Sequence, residues 1–244
     1  MKRFWDLYRS VNHLLPRPLI QKSRCWMEAH LDFLWQKKSY SQFGEDIILP
    51  SLLGRRKIRQ GFYVDIGAFA PKQFSNTYLL YQQGWRGINI DATPGAMKAF
   101  NAARKRDINL EVAVSLKEQD LVFYSWGAPT VTNTLSKAHA EHYTKIIGRP
   151  PAEITVHAEP LAAILDRHRG QFSAIDLMNI DVESHTMEVL QSNDWSRYSP
   201  AILIIEIEGN SVDDILASSE HTFLKAKGYR MCGWTNPSVF YELA

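Results

Sequence analysis

Carboxylates stand at the ends of several apolar runs in this chain, although such runs normally avoid them because burying an unpaired carboxylate is costly. The first is Val64-Asp65-Ile66-Gly67-Ala68, the second Ile90-Asp91-Ala92, the third Asn179-Ile180-Asp181-Val182-Glu183 and the fourth Glu206-Ile207-Glu208-Gly209-Asn210. A glycine after an acid lets the backbone turn tightly against a ligand. An acid about 25 residues further on has the spacing to hold both hydroxyls of a ribose. Ala113-Val114-Ser115 ends a further run, from which amides and a small side chain could frame an adenine. Each Asp could instead cap the following helix, but Asp65, Asp91 and Asp181 in this order favour a ligand.

The same acids offer acid–base chemistry. Asp181, Glu183 and His185 follow one run, and Glu206 and Glu208 follow another; Asp181 or Glu206 is the preferred general base, with His185 suited to that task at neutral pH. Glu206 and Glu208 share a face of an extended strand, so with Asp181 they make an oxygen-rich set for Mg²⁺, unless Lys or Arg side chains pair with them. His139 and His142 lie in a less regular segment, 124–153, read as a lid or acceptor loop, and His157 follows just beyond it; the three either bind an acceptor or stand solvated.

These residues need elements to position them. Phe62–Ile66, Gly87–Ile90, Leu110–Val114, Ile175–Val182 and Ala201–Ile207 are candidate strands, apolar without interruption and so buried on both faces. Helices are expected near Ser75–Gln83, Pro94–Arg104, Leu161–His168, Thr186–Gln191 and Ser211–Lys227. Alternation of this kind predicts a doubly wound α/β domain with a mostly parallel sheet and helices on both faces. Tyr229–Trp234 and Ser238–Leu243, around Thr235-Asn236-Pro237, predict a closing antiparallel hairpin. Ligands bind such sheets beyond the carboxyl ends of the strands, which is where the acids lie.

Residues 1–38 form a basic, aromatic-rich extension ahead of the domain at 39–244. Residues 1–40 hold eight bases and three acids, a net of +5 against +2 for the whole chain, so the remainder is mildly acidic. Phe4, Trp5, Leu7, Tyr8, Val11, Leu14 and Leu15 predict one helix, stopped by Pro16 and Pro18, and Trp26, Met27, Leu31, Phe33, Leu34 and Trp35 a second over Lys22–Trp35. They are expected to pack on the domain or a second subunit, or to meet an anionic membrane surface. The chain shows no stretch approaching ~18 consecutive apolar residues and no secretion signal, so it is expected to start at Met1 and stay cytoplasmic. Cys25 and Cys232 lack the spacing of a disulfide framework or a zinc site. Neither the weak net charge nor its distribution suits nucleic acid. GxGxxG is missing after the first strand, where Phe69-Ala70-Pro71-Lys72 follows a single glycine, which favours a nucleoside without phosphates over NAD.

From about Tyr40 onward the chain resembles the FkbM family of S-adenosylmethionine-dependent methyltransferases. The resemblance rests on Ser41-Gln42-Phe43-Gly44-Glu45-Asp46, Tyr63-Val64-Asp65-Ile66-Gly67-Ala68, Ser75-Asn76-Thr77, Gly84-Trp85-Arg86-Gly87, Ile90-Asp91-Ala92 and Ile180-Asp181-Val182-Glu183. Ser184, where the family usually has glycine, and Asn179, where lysine is common, depart from its pattern on the acceptor side. The resemblance implies a Rossmann-like class I methyltransferase fold, S-adenosylmethionine as cofactor and an O-linked acceptor, frequently a sugar in a natural product or surface polysaccharide. It implies that Asp65, Gly67 and Ala68 lie along the methionine portion, that Asp91 and the adjoining Ala92 hold the ribose, and that Ser115 lies near the adenine. Asn76 would stand close to the same pocket, and Asp181 would face the sulfonium and the acceptor. Another acceptor class, protein or RNA, and a non-catalytic nucleoside-binding module are the competing readings.

Overall fold

The computed structural model describes all residues except 1–5, 7–9, 11–13, 15, 32–34 and 128–129. It divides into two compact units, Met1–Lys38 and Ser39–Ala244. Of the N-terminal stripe, Phe4, Trp5, Leu7, Tyr8, Val11, Leu15, Phe33 and Leu34 lie outside the described residues. Helix α1 spans Arg17–His30 and begins five residues before the expected start at Lys22. Pro16 and Pro18 open this helix rather than only closing an earlier one, because a proline in the first turn gives up an N–H that has no helical partner anyway. Among the described residues no helix is long and apolar enough to cross a membrane.

The second unit is built on a seven-stranded sheet. In chain order its strands are β1 (Phe62–Ile66), β2 (Arg86–Asp91), β3 (Ile108–Glu111), β7 (Leu177–Ile180), β8 (Ile202–Glu206), β9 (Tyr229–Thr235) and β10 (Ser238–Leu243). They lie side by side as β3-β2-β1-β7-β8-β10-β9. β1, β2, β3, β7 and β8 run parallel, and the β9–β10 hairpin adds antiparallel to β8. The expected strands are therefore present, apart from Leu110–Val114, which breaks at Val112. Its first part extends β3, and Ala113–Val114 forms β4 in a second sheet.

Side-chain alternation along each strand sends residues to two faces, and both are covered. Phe62, Val64 and Ile66 of β1 pack with α6 (Leu161–Arg167), α7 (Thr186–Ser192), α8 (Val212–Ala217) and α9 (Ser219–Ala226). Tyr63 of β1, with Leu177, Ile202, Ile204 and Phe240, packs on α2 (Glu45–Arg55) and α3 (Tyr78–Gln82). Helix α4 (Ala96–Ala103) buries Met97 and Phe100 beside Ala68. The expected Ser211–Lys227 helix is interrupted at Ser218, whose hydroxyl caps α9 by accepting from the amide of His221.

Between β3 and β7 the chain makes the smaller sheet, order β4-β6-β5, with β5 at Gln119–Ser125 and β6 at Ala152–Glu159. Helix α5 (Lys137–Ile147) joins them and is started by the Ser136 hydroxyl accepting from the amide of His139. The described part of segment 124–153 thus runs from the end of β5 through α5 to the start of β6, a β–α–β insertion rather than an irregular loop.

Arg104, just past α4, has a fully buried side chain. Nε donates to Asp107 at 2.8 Å, Nη2 to the Tyr63 and Thr77 hydroxyls at 2.8 Å each and to Asn89 at 3.2 Å, and Nη1 to the Pro71 carbonyl at 3.0 Å. Asp107 also accepts from the Tyr63 phenol and the Gly87 amide, so one ion pair ties β1, β2 and loop 71–77 together. Removing one partner of a buried pair leaves the other charge uncompensated. Arg104→Met should lower unfolding free energy in urea by about 3 to 5 kcal/mol; a change below about 1 kcal/mol would show that the pair is replaceable.

Candidate active site

The strand order reverses between β1 and β7: from β1 the chain moves outward through β2 to β3, then returns to start β7 on the other side. A crevice opens at the carboxyl ends of the strands beside such a reversal. A cavity of about 320 Å³ lies there, lined from β1 and its loop by Asp65, Gly67, Ala68 and Phe69, from β2 by Asp91 and Ala92, and from β7 by Asn179, Asp181 and Glu183. His185 and Glu206 complete that wall, and the insertion contributes Thr134, Leu135 and Tyr143.

The β1 loop has one permitted shape. Gly67 has φ +76°, and a Cβ there would lie 1.7 Å from the Asp181 carbonyl oxygen, so both conformation and space demand glycine. The Gly67 and Ala68 amides donate to the Ile90 carbonyl. Asp91 accepts from the Phe69 amide through one oxygen and from the Thr93 amide through the other, both at 2.8 Å. Each oxygen keeps a free lone pair, so Asp91 both fixes the loop and can accept the hydroxyls of a diol.

Asp65 is buried. It accepts from the Thr77 hydroxyl at 2.6 Å and from the Asn179 amide at 2.9 Å. Burial raises its pKa, opposed by the Thr77 hydrogen bond, the Arg104 charge and the Asn179 hydrogen bond. Asn76, expected close to the pocket, does not itself line it: it donates to Oδ1 of the wall residue Asn179 at 2.9 Å. Ser115, expected near an adenine, does not line it either. Its hydroxyl donates to the Lys117 carbonyl in a turn, and the apolar side of the cavity is made instead by Val112, Val114, Phe123 and Leu135.

Asp181, Glu183 and Glu206 bring carboxylate oxygens within 4.8 Å of one another. Glu183 therefore takes the place expected for Glu208, which is exposed and lines an adjoining cavity of about 270 Å³ instead. The reason is local: β8 ends at Glu206, so the alternation that would put 206 and 208 on one face stops there. Burial raises Asp181 well above the usual carboxylate range, and Glu206 beside it adds to the rise. Burial likewise raises Glu206. Glu183 is pushed up to about 7 by burial and then by Asp181 and Glu208. Burial and neighbouring negative charge thus favour the protonated forms of these carboxyls, or else the gathering of a cation.

His185 stands at the start of α7 with Nδ1 3.7 Å from Glu188, and its buried Nε2 has no partner among the described residues. Burial holds its pKa below the ordinary value, which keeps the ring neutral at pH 7. Of the three insertion histidines only His139 reaches the acid cluster; His157, on β6, pairs instead with Glu118, Asp120 and Glu159. The insertion's wall residues Phe123, Thr134 and Tyr143 carried no chemical signal in the sequence beyond their position in the segment read as a lid.

The fit to an S-adenosyl nucleoside can be judged from the donor set. Three aspartates face the cavity beside an apolar slot, and among the described residues no Lys or Arg lines it, so a cationic, diol-bearing nucleoside is matched and a pyrophosphate is not. The sheet order, the added antiparallel hairpin and this cavity define a Rossmann-like class I methyltransferase fold. The Methyltransferase FkbM domain model matches residues 65–231, and the chain belongs to that family. Among solved structures it is similar to the FkbM methyltransferase of Methylobacillus flagellatus KT, at 13% identity and TM-score 0.46. That match covers 75% of this chain and 44% of the other, so the chain spans less than half of that protein. It is also similar to a TehB-like SAM-dependent methyltransferase from Corynebacterium glutamicum (10% identity, TM-score 0.40, covering 93% and 100%). A third is an O-methyltransferase from Bacillus cereus in complex with SAH (10% identity, TM-score 0.37, covering 99% and 97%). A search of curated proteins finds no significant match.

Glu183 couples the cluster to stability. Its pKa is about 7 when folded against 4.5 ordinarily, so the native state holds a proton that the unfolded chain has lost between those values. The associated stability is present in full below about pH 4.5 and disappears as pH rises through about 7. Glu183→Gln should therefore raise the melting temperature relative to the parent more at pH 8 than at pH 5; equal offsets would contradict the shift.

Proposed function

We propose that this chain transfers a methyl group from S-adenosylmethionine to a hydroxyl of a sugar, in a surface polysaccharide or a glycosylated natural product. One observation carries the reading: the cofactor-side acids Asp65 and Asp91 share a cavity with the proton-holding cluster Asp181, Glu183 and Glu206. When bound, S-adenosylmethionine supplies a methyl group activated on a sulfonium. Asp91 and Ala92 would hold the ribose, Val112, Ala113 and Val114 the adenine, and Asp65, Gly67 and Ala68 the methionine portion.

The protein's work is to align the acceptor oxygen opposite the departing sulfur and to exclude water. A sugar hydroxyl is a weak nucleophile, so its proton must leave as the O–CH₃ bond forms and the C–S bond breaks. Asp181 and Glu206 face one another, and the one that stands ionised accepts that proton. A carboxylate with a raised pKa is a stronger base than an ordinary one, which suits an acceptor hydroxyl. Neutral His185, whose Nε2 has no partner among the described residues, lines the same cavity and would take the proton on from the pair.

A second reading has one observation in its favour. The close approach of oxygens from Asp181, Glu183 and Glu206 would suit Mg²⁺, which could activate the hydroxyl in place of a base. Full activity after EDTA treatment would remove it. RNA acceptors are disfavoured by the lack of Lys and Arg along the cavity. Peripheral membrane contact through residues 1–38 would favour a lipid-linked glycan, and pelleting of the full chain with anionic liposomes tests it.

In calorimetry, S-adenosylmethionine and S-adenosylhomocysteine should bind and NAD should not, with Asp91→Ala weakening both by about tenfold or more. Glu206→Gln should keep S-adenosylhomocysteine affinity while lowering kcat about 10² to 10⁴-fold on sugar acceptors. Failure of both nucleosides to bind would overturn the cofactor reading, and methylation only of protein or RNA would overturn the acceptor.

A further inference from the structure

The turn after β7 holds a backbone shape that its own side chains disfavour. Glu183 has φ +45° and Ser184 φ +66°, two successive residues in the left-handed region where a Cβ crowds the backbone. Such conformations persist only where the surroundings over-determine them. Here the restraint comes from the insertion. Ser184 Oγ lies 3.1 Å from Nδ1 of His139 on α5, and His139 Nε2 lies 3.9 Å from the Glu183 carboxylate. Thr134 Oγ1 donates to the Glu183 carbonyl at 3.4 Å. The imidazole also stacks on Tyr143 of the cavity wall, with centroids 4.9 Å apart and planes at 23°.

One tautomer serves both contacts of the ring. With Nδ1 accepting from the Ser184 hydroxyl, the proton sits on Nε2, facing Glu183. The Glu183 side chain is 31% exposed and long, so without a partner its carboxylate would sample several rotamers and leave the cluster for solvent. The ring is thus in a position to fix the turn through Ser184 and the carboxylate through Nε2, while Tyr143 fixes the ring.

We propose that His139 is a positioning residue: it latches the Glu183–Ser184 turn in its left-handed shape and so keeps the Glu183 carboxylate beside Asp181 and Glu206 at the acceptor side of the site. The latch joins the insertion to the end of β7, and the insertion wall and acid cluster come into register together. Its catalytic consequence rests on the methyltransferase reading above; its structural consequence does not.

The test measures hydrogen exchange of residues 181–185 and 134–143 in the full chain, with S-adenosylhomocysteine affinity and kcat. His139→Ala should raise exchange at least fivefold in both segments and lower kcat at least tenfold, with S-adenosylhomocysteine affinity within twofold of the parent. Ser184→Ala, which cuts the contact from the other side, should raise exchange in 181–185 similarly. Adding Ser184→Gly to His139→Ala should bring exchange of 181–185 back to within threefold, because glycine adopts φ +66° without strain, while kcat stays low because the Glu183 carboxylate still lacks its Nε2 partner. Unchanged exchange in His139→Ala and Ser184→Ala, or raised exchange that glycine does not bring down, would overturn the latch. If the parent binds no S-adenosylhomocysteine the methyltransferase reading fails, and the exchange results still decide the latch.

Discussion

Arg104 carries a guanidinium into the interior, and much of the domain is arranged around satisfying it. A charge removed from water is tolerated only when its donors are used and a counter-charge is near. Asp107 supplies the counter-charge, and the Tyr63 and Thr77 hydroxyls, Asn89 and the Pro71 carbonyl take the remaining donors. The rings of Tyr63, Tyr78, Tyr81 and Phe100 surround it at 5.0 to 6.0 Å. Thr77 is the link to function: its hydroxyl oxygen accepts from Arg104 and its proton goes to Asp65. Arg104, which is not itself among the lining residues, therefore helps to set the charge and direction of one that is.

The acids of the cavity divide by how their charge is handled. Asp91 is matched by two backbone amides. Asp65 is buried but supported by hydroxyl, amide and a nearby guanidinium. Asp181, Glu183 and Glu206 have one another instead, and burial with mutual repulsion raises all three. The wall thus changes from a carboxylate matched by backbone amides near β2 to carboxyls crowded against one another near β7 and β8.

Sequence pattern revealed the main sheet because its strands are covered on both faces and so are apolar throughout, as Phe62–Ile66 and Ile202–Glu206 are. β5 and β6 went unseen: their residues alternate between partly buried and exposed, and the small sheet's apolar signal is correspondingly weak. Asp65, Gly67, Asp91 and Asp181 were legible as site residues, since each sits at the end of an apolar run. Ser115 and Asn76 were not separable from true wall residues, because a buried small polar side chain can serve a turn or a neighbour equally well. Glu208 was favoured over Glu183 by strict alternation, which requires the strand to continue two residues past its actual end. Arg104 left no trace, for its partners come from four places in the chain that only the fold brings together.

The 1.7 Å that would separate a Gly67 Cβ from the Asp181 carbonyl means that the β1 loop meets the β7 loop backbone against backbone at that point. No side chain can be added at Gly67 to alter the joint. Diversification of this scaffold is therefore channelled away from the β1–β7 seam and into the insertion between β5 and β6, whose wall reaches the same cavity through replaceable side chains such as Thr134, Leu135 and Tyr143. The adaptable half of the cavity wall lies there, with the backbone joint held rigid behind it.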